Sequence, residues 1–351
     1  MWDIVFGISS LVCFLLGTTG NLFAVSYFLT RTTSLSPNTL LYICINLTDI
    51  VICSLTLFTG LVNLSPSLGD AIFKSSPPFC NVWGILWNVT IRVSVFLIAV
   101  LSISRVVSLH HPYKKMSLWN VSVPVTVYVL LMLLQASIPF IRGSKYEYFP
   151  QLKVCSWDLA AVFIRGSIPF NVLYFLLNIV EFVMPIFPVT SCCCFIILKL
   201  RSKAVTSLAS SARGSTVKRE ATVTIVLLTL TYLVWNLPLC VVLILNYTTQ
   251  ISELACHGSP GHYHFAYHDH LRTFMNSQTI ALNSVCNTCL YFYRITDLRR
   301  WTLNLLGQFY SQSVRFLTVR EVPLHSNAAI SGRHCVCRPC LGNTSDLETA
   351  L

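Results

Sequence analysis

The sequence predicts an all-α fold: a seven-transmembrane helix bundle followed by a short amphipathic helix at the inner membrane surface. Three observations predict it. Hydrophobic residues make up 54% of the 351 positions and charged residues 11%, less than half of the roughly 25% charged content of soluble domains. The apolar residues come in seven long runs, and Lys and Arg gather on one side of those runs. Soluble, disordered and disulfide-dense secreted proteins are all excluded by this composition.

An apolar helix needs about 20 residues to cross about 30 Å of hydrocarbon. Residues 4–29, 38–62, 79–108, 121–141, 168–198, 220–246 and 272–294 qualify. Helices are expected throughout, because lipid offers no partner to an open backbone and the runs lack strand-like alternation. Span one follows Met1-Trp2-Asp3 and reads as its own uncleaved signal anchor, being long and without a basic leader. Beyond the seven-span domain, 1–295, Leu298, Trp301, Leu305 and Phe309 recur at three- or four-residue spacing, with Arg299 and Arg300 on the other face and Asp297 in the first turn. That pattern fits a helix over 296–310 lying on the membrane. Residues 311–351 are polar and mixed, and read as a disordered cytoplasmic tail.

The chain carries 24 Lys and Arg against 13 Asp and Glu. Nine of the basic residues, from Arg31 to Arg219, fall on one side, and seven more follow from Arg294 onward; six fall on the opposite side. This asymmetry is the positive-inside signal. It places the amino terminus outside and the carboxyl terminus in the cytoplasm, and it accounts for the charge without a nucleic-acid partner.

Charges inside a span cost roughly 2.5 to 3.5 kcal/mol on insertion scales, so each one points to a role. Asp49 lies midway along span two, Asn21 in span one, Ser94 in span three, and Asn283, Ser284 and Asn287 in span seven. They fit either separate interhelical hydrogen bonds or one shared polar cluster beside Asp49, able to hold a monovalent cation. Arg92 in span three and Glu181 in span five are the other intramembrane charges. They fit either a structural ion pair or a site for a ligand carboxylate or amine.

In these residues the chain resembles the rhodopsin-like (class A) G-protein-coupled receptors. Gly20-Asn21 matches the span-one motif, and Asn46-Leu47-Thr48-Asp49 a shortened form of the span-two motif. Cys80 opens span three with Arg105 following 25 residues later, and Pro185 and Pro238 sit in spans five and six. Asn283 through Tyr291 is close to the family's Asn-x-x-x-Asn-Pro-x-x-Tyr. The resemblance covers about residues 10 to 310. It implies a disulfide between Cys80 and Cys155, and a sodium site at Asp49, Ser94, Asn283, Ser284 and Asn287. It also implies an activation and G-protein contact set of Arg105, Tyr291, Pro238 and Asn287. The implied ligand pocket is lined by Trp87, Asn88, Ile91, Arg92, Glu181, Asn236, Leu239, Ser277 and Ala281. No cofactor is expected beyond the sodium ion.

Several positions depart from the family pattern. Ser104 stands where an acid precedes the span-three arginine, and Lys218 where an acid closes the foot of span six, although Glu220, two residues along, offers Arg105 an alternative partner. Loss of the opposite charge beside Arg105 leads to an expectation of raised ligand-independent signalling. Thr288 replaces the span-seven proline, Cys193 the span-five tyrosine and Val129 the span-four tryptophan; Asn236 takes the usual tryptophan slot, with Trp235 one step round the helix. Ala281 offers no lysine for a retinal Schiff base, and Trp87 no carboxylate for an amine.

The remaining motifs lie near the surfaces. Cys335, Cys337 and Cys340 in the tail, or Cys192, Cys193 and Cys194, could be palmitoylated. His257, His262, His264, His268 and His270 form an outer-loop cluster, either a solvated loop or a zinc or pH sensor. Asn246-Tyr247-Thr248 is a glycosylation candidate, and the ending Thr349-Ala350-Leu351 fits a PDZ-domain ligand. No nucleophile–base pairing suggests an enzyme. The expectation is therefore a plasma-membrane receptor for a peptide or small molecule, embedded in the bilayer and coupled to heterotrimeric G proteins, with arrestin and a PDZ protein as further partners. A signalling-impaired decoy or partner receptor, and a seven-span transporter, are the alternatives.

Overall fold

The structure is a computed structural model that describes residues 2–31, 36–74, 77–111, 116–141, 146–149, 154–157, 185–206, 223–237, 241 and 266–319. Helix α1 covers Trp2–Arg31, α2 Pro37–Leu64, α3 Pro77–His110 and α4 Trp119–Ile141. A hairpin of β1 (Tyr146–Phe149) and β2 (Val154–Trp157) follows, then α5 (Ile186–Thr206), α6 (Val223–Leu237), α7 (Ala266–Arg294) and α8 (Thr296–Val319). Among the described residues, α1 to α4 contain four helices long and apolar enough to cross a membrane, and α5 and α6 supply shorter apolar stretches.

Local chemistry sets the ends. Ser36 caps α2, its hydroxyl accepting the Thr39 amide at 3.1 Å, and Pro37 takes the first helical position, where a missing N–H costs nothing. The bundle is ordered by small residues as well as by greasy ones. A Cβ on Gly20 would collide with Thr288 of α7, and one on Gly60 with Ser10 of α1, so bare backbone is what lets α1 approach both neighbours. Helix α1 packs on α2 and α7, α2 on α3 and α7, and α3 on α4 and α5. The shared core contains Phe28, Tyr42, Leu97, Leu101, Ile225 and Tyr291. Leu130, Leu131 and Leu134 of α4 point outward and are more than half exposed. Such a surface suits lipid.

At the end of the bundle expected to face outward, Cys155 of β2 is joined to Cys80 near the start of α3, with Cα atoms 5.5 Å apart. The pairing implied by the resemblance is thus present, and it pins the antiparallel hairpin, Tyr146 opposite Trp157, over the bundle.

Three boundaries differ from the sequence reading. Helix α5 runs to Thr206, eight residues past the expected end at 198. Helix α7 begins at Ala266, so His268 and His270 lie in its first turns and not in a loop. Polar residues hid this end from a hydropathy reading, although Asp269 suits the positive end of a helix. Helix α8 runs to Val319, nine residues past the expected stop and into the segment read as a disordered tail. No proline interrupts the chain before Pro323, and Val314, Phe316 and Leu317 prolong the apolar repeat.

Candidate functional site

The polar residues of α2 and α7 meet at mid-bundle. Asp49 is fully buried. The Ser284 hydroxyl donates to its Oδ1 at 2.8 Å and the Asn287 Nδ2 to its Oδ2 at 3.1 Å. Ser284 and Asn287 share a face of α7 because three residues make nearly one turn. Asn21 and Asn46 turn their Nδ2 groups back onto the Gly17 and Tyr42 carbonyls, at 2.7 and 2.6 Å. This leaves four buried amide oxygens, on Asn21, Asn46, Asn283 and Asn287, without a hydrogen-bond partner. Ser94 is also buried.

A carboxylate with spare lone pairs, among unpaired acceptors, lacks donors or positive charge. Such a donor set fits a small hard cation or bound water. Asp49, Ser284 and Asn287 are brought together by direct bonds. Asn283, also on α7, and Ser94, on α3, are buried, and among the described side-chain bonds to the carboxylate neither takes part.

The outer half is aromatic. Trp87 is buried and stacked on Trp83 one turn above it, with ring centroids 5.4 Å apart and planes 7° off parallel. Phe73 meets Trp83 edge-on at 6.4 Å, and Ile91 and Ile280 close the same cluster. Asn88 is half-buried and donates to the Gly84 carbonyl at 2.9 Å. Arg92 and Ala281 are buried. Asn236, on α6, is buried with its amide turned back onto the Tyr232 carbonyl at 2.9 Å, so one of its two amide donors is used within its own helix. Glu181, Pro238, Leu239 and Asn246 lie outside the described residues, as does the side chain of Ser277.

Sequence reasoning missed two members of this half. Trp83 was findable as the residue four before Trp87, on the same face. Gln278 accepts from Ser9 at 2.9 Å and donates to Ser10 at 2.8 Å, clasping α7 to α1. No motif marks it.

At the inner end, Arg105 of α3 is 8% exposed, and Ser104 donates to Asn38 of α2 at 3.2 Å and to the Leu101 carbonyl at 2.8 Å. Tyr291 is wholly buried. Its ring meets Tyr42 edge-on at 5.7 Å, Tyr42 stacks on Phe28 at 5.5 Å, and Phe28 touches Tyr27 at 5.5 Å. Tyr27 in turn meets Trp301 of α8 at 5.8 Å. A continuous file of rings therefore joins α7 to the surface helix.

This geometry has relatives. The chain matches the family described as 7 transmembrane receptor (rhodopsin family) over residues 20–290. Among solved structures it is similar to the crystal structure of squid rhodopsin, with a TM-score of 0.63 and 20% sequence identity over 85% of this chain and 83% of that one. At that identity the likeness concerns the fold. No curated protein matches the chain.

Proposed function

Since the chain belongs to the rhodopsin family of seven-transmembrane receptors, we propose that it is a plasma-membrane receptor that relays an extracellular ligand to heterotrimeric G proteins. The observation that carries this reading is the mid-bundle junction of Asp49 with Ser284 and Asn287. It ties α2 to α7 through a buried charge with few compensating donors, an arrangement that a shift of α7 would break. Ligand binding outside would favour a bundle arrangement with an open inner face, moving a population already present.

In this reading the amino terminus faces the medium and the carboxyl terminus the cytoplasm. A peptide or small organic molecule sits against Trp87, Asn88, Ile91, Arg92 and Ala281. Arg105 and Tyr291 help form the G-protein contact, arrestin binds the same inner face, and the final three residues meet a PDZ domain. The unpaired acceptors around Asp49 support a sodium ion there, held by Asp49 with Ser94, Asn283, Ser284 and Asn287, which favours the resting arrangement.

The test is ligand-free and ligand-panel nucleotide exchange, with the receptor reconstituted beside each class of G protein. Exchange above receptor-free membranes is the expected result. A surface-expressed chain that stays silent with every G protein and ligand would favour the decoy reading, which the neutral Ser104 and the Thr288 replacement also support.

A further inference from the structure

We propose that Gln135, on the inward stripe of α4, is a ligand-contact residue. Its side-chain amide receives a carbonyl-type oxygen, from a carboxylate or a carboxamide, of a molecule bound at the hairpin end of the bundle. The inference rests on the receptor reading above and deepens it by giving the ligand a chemical class. Binding at this place does not itself require G-protein coupling.

Register places Gln135. Tyr128, Met132 and Gln135 recur at three- or four-residue spacing along α4, the spacing of one helix face. Tyr128 stacks on Phe96 of α3, with ring centroids 4.0 Å apart and planes 4° off parallel. Helix α3 starts beside the disulfide and α4 ends shortly before β1, so the two run antiparallel. Seven residues make about two turns. Gln135 on α4 and Val89 on α3 therefore stand at one level, about two turns from the ring stack toward the hairpin. Asn88 and Arg92 flank that level on α3, and Arg92 is buried.

A buried amide is costly unless it is paired, and the other amides of the spans are. Asn21, Asn46, Asn88 and Asn236 each return a donor to the carbonyl four residues before. Gln278 accepts from Ser9 and donates to Ser10. Gln135 does neither: it is 7% exposed, and its Nε2 has no hydrogen-bond partner among the described residues. The two buried glutamines thus differ in kind, one a clasp between helices and the other an amide held ready. A second buried donor toward the same end, Trp83 Nε1, also has no partner among the described residues. Around Asp49 the partnerless atoms are amide oxygens, which call for donors or a cation; Gln135 and Trp83 call for acceptors. A carbonyl-type oxygen meets that need and an ammonium does not. An analogue without the acceptor would leave a buried donor unpaired, the condition under which sites discriminate most.

Gln135→Met and Gln135→Leu keep the bulk and remove the amide. The full chain is placed in lipid nanodiscs, and thermal unfolding is followed with phenylpropanoic acid, phenylpropanamide and phenylpropylamine, which share a ring and chain and differ in head group. The concentration dependence of the midpoint gives each apparent Kd. Without a probe, both variants should melt at or above the unsubstituted midpoint, since an unpaired buried donor has been removed. The unsubstituted chain should bind the acid and the amide about fivefold or more tighter than the amine, and both variants should lose that preference. An acid bound more tightly than the amide adds Arg92 to the contact; equal binding leaves it to Gln135, and the inference holds in either case. Lower midpoints in both variants would mark Gln135 as a structural residue and overturn it. So would an unsubstituted chain with no preference for the carbonyl probes, or a preference that survives in both variants. If the preference and its loss appear while the chain stays silent with every G protein and ligand, the site stands and the receptor reading falls. Nucleotide exchange with no head-group preference would do the reverse.

Discussion

The mid-bundle and the inner end of this protein solve one problem with different chemistry. At mid-bundle, α2 and α7 are joined by a buried carboxylate that accepts from Ser284 and Asn287. At the inner end, α3 is joined to α2 and α6 by neutral hydroxyls, Ser104 to Asn38 and Thr229 to Ser102. A buried carboxylate needs several partners and responds to cations; a buried hydroxyl needs one and does not. The difference teaches that one bundle can join helices through a buried charge at one level and through neutral hydroxyls at another.

Substitutions can break or sharpen that contrast, and the largest effect belongs to the close approach that frames the mid-bundle. Gly20→Val would drive methyls into Thr288 and should cost about 1–3 kcal/mol, read as a lower midpoint in thermal unfolding in detergent. Thr288→Ala in the same chain should recover much of the loss. Recovery absent would mean that α1 and α7 are not held at the distance described.

Next comes the cation. Above its dissociation constant, each tenfold rise in sodium should stabilise the receptor by about 1.4 kcal/mol by mass action, against a large organic cation at equal ionic strength. Asp49→Asn should abolish that slope, while Ser104→Ala should leave it intact. A sodium slope that survives Asp49→Asn would remove the ion from this centre.

Smallest is the inner tie. Ser104→Ala deletes the interhelical bond to Asn38 along with the local one to the Leu101 carbonyl, and the interhelical part should cost about 0.6 kcal/mol, the mean for such bonds in membranes. A double-mutant cycle with Asn38→Ala should show coupling of that size. Ligand-free signalling should rise slightly, with no change in its salt dependence.

Much of the architecture was legible because membranes impose length. The expected span 38–62 lies within the observed Pro37–Leu64, and 79–108 within Pro77–His110. The start of α7 and the reach of α8 were not, since polar residues outside the hydrocarbon carry no such signal. At the centre, Asp49, Ser284 and Asn287 announced themselves by being polar where polarity is costly. Their meeting followed from motif order, although which oxygen each donor would choose did not. Ser104 meeting Asn38, 66 positions away, and Gln278 bridging two serines of α1 were invisible. Ser, Thr and Gln are common in spans, and nothing local says which of them will find a distant partner.

The file of rings from Tyr291 to Trp301 carries a consequence for motion. Packed interiors compress little, and an emptied place costs energy in proportion to its volume. Should Tyr291 turn out of its seat, Tyr42 loses a wall. Either a hole stays open between three helices, or Phe28, Tyr27 and the indole of α8 slide to fill it. The amphipathic helix would then register, at the lipid boundary, a rotation that begins inside the bundle.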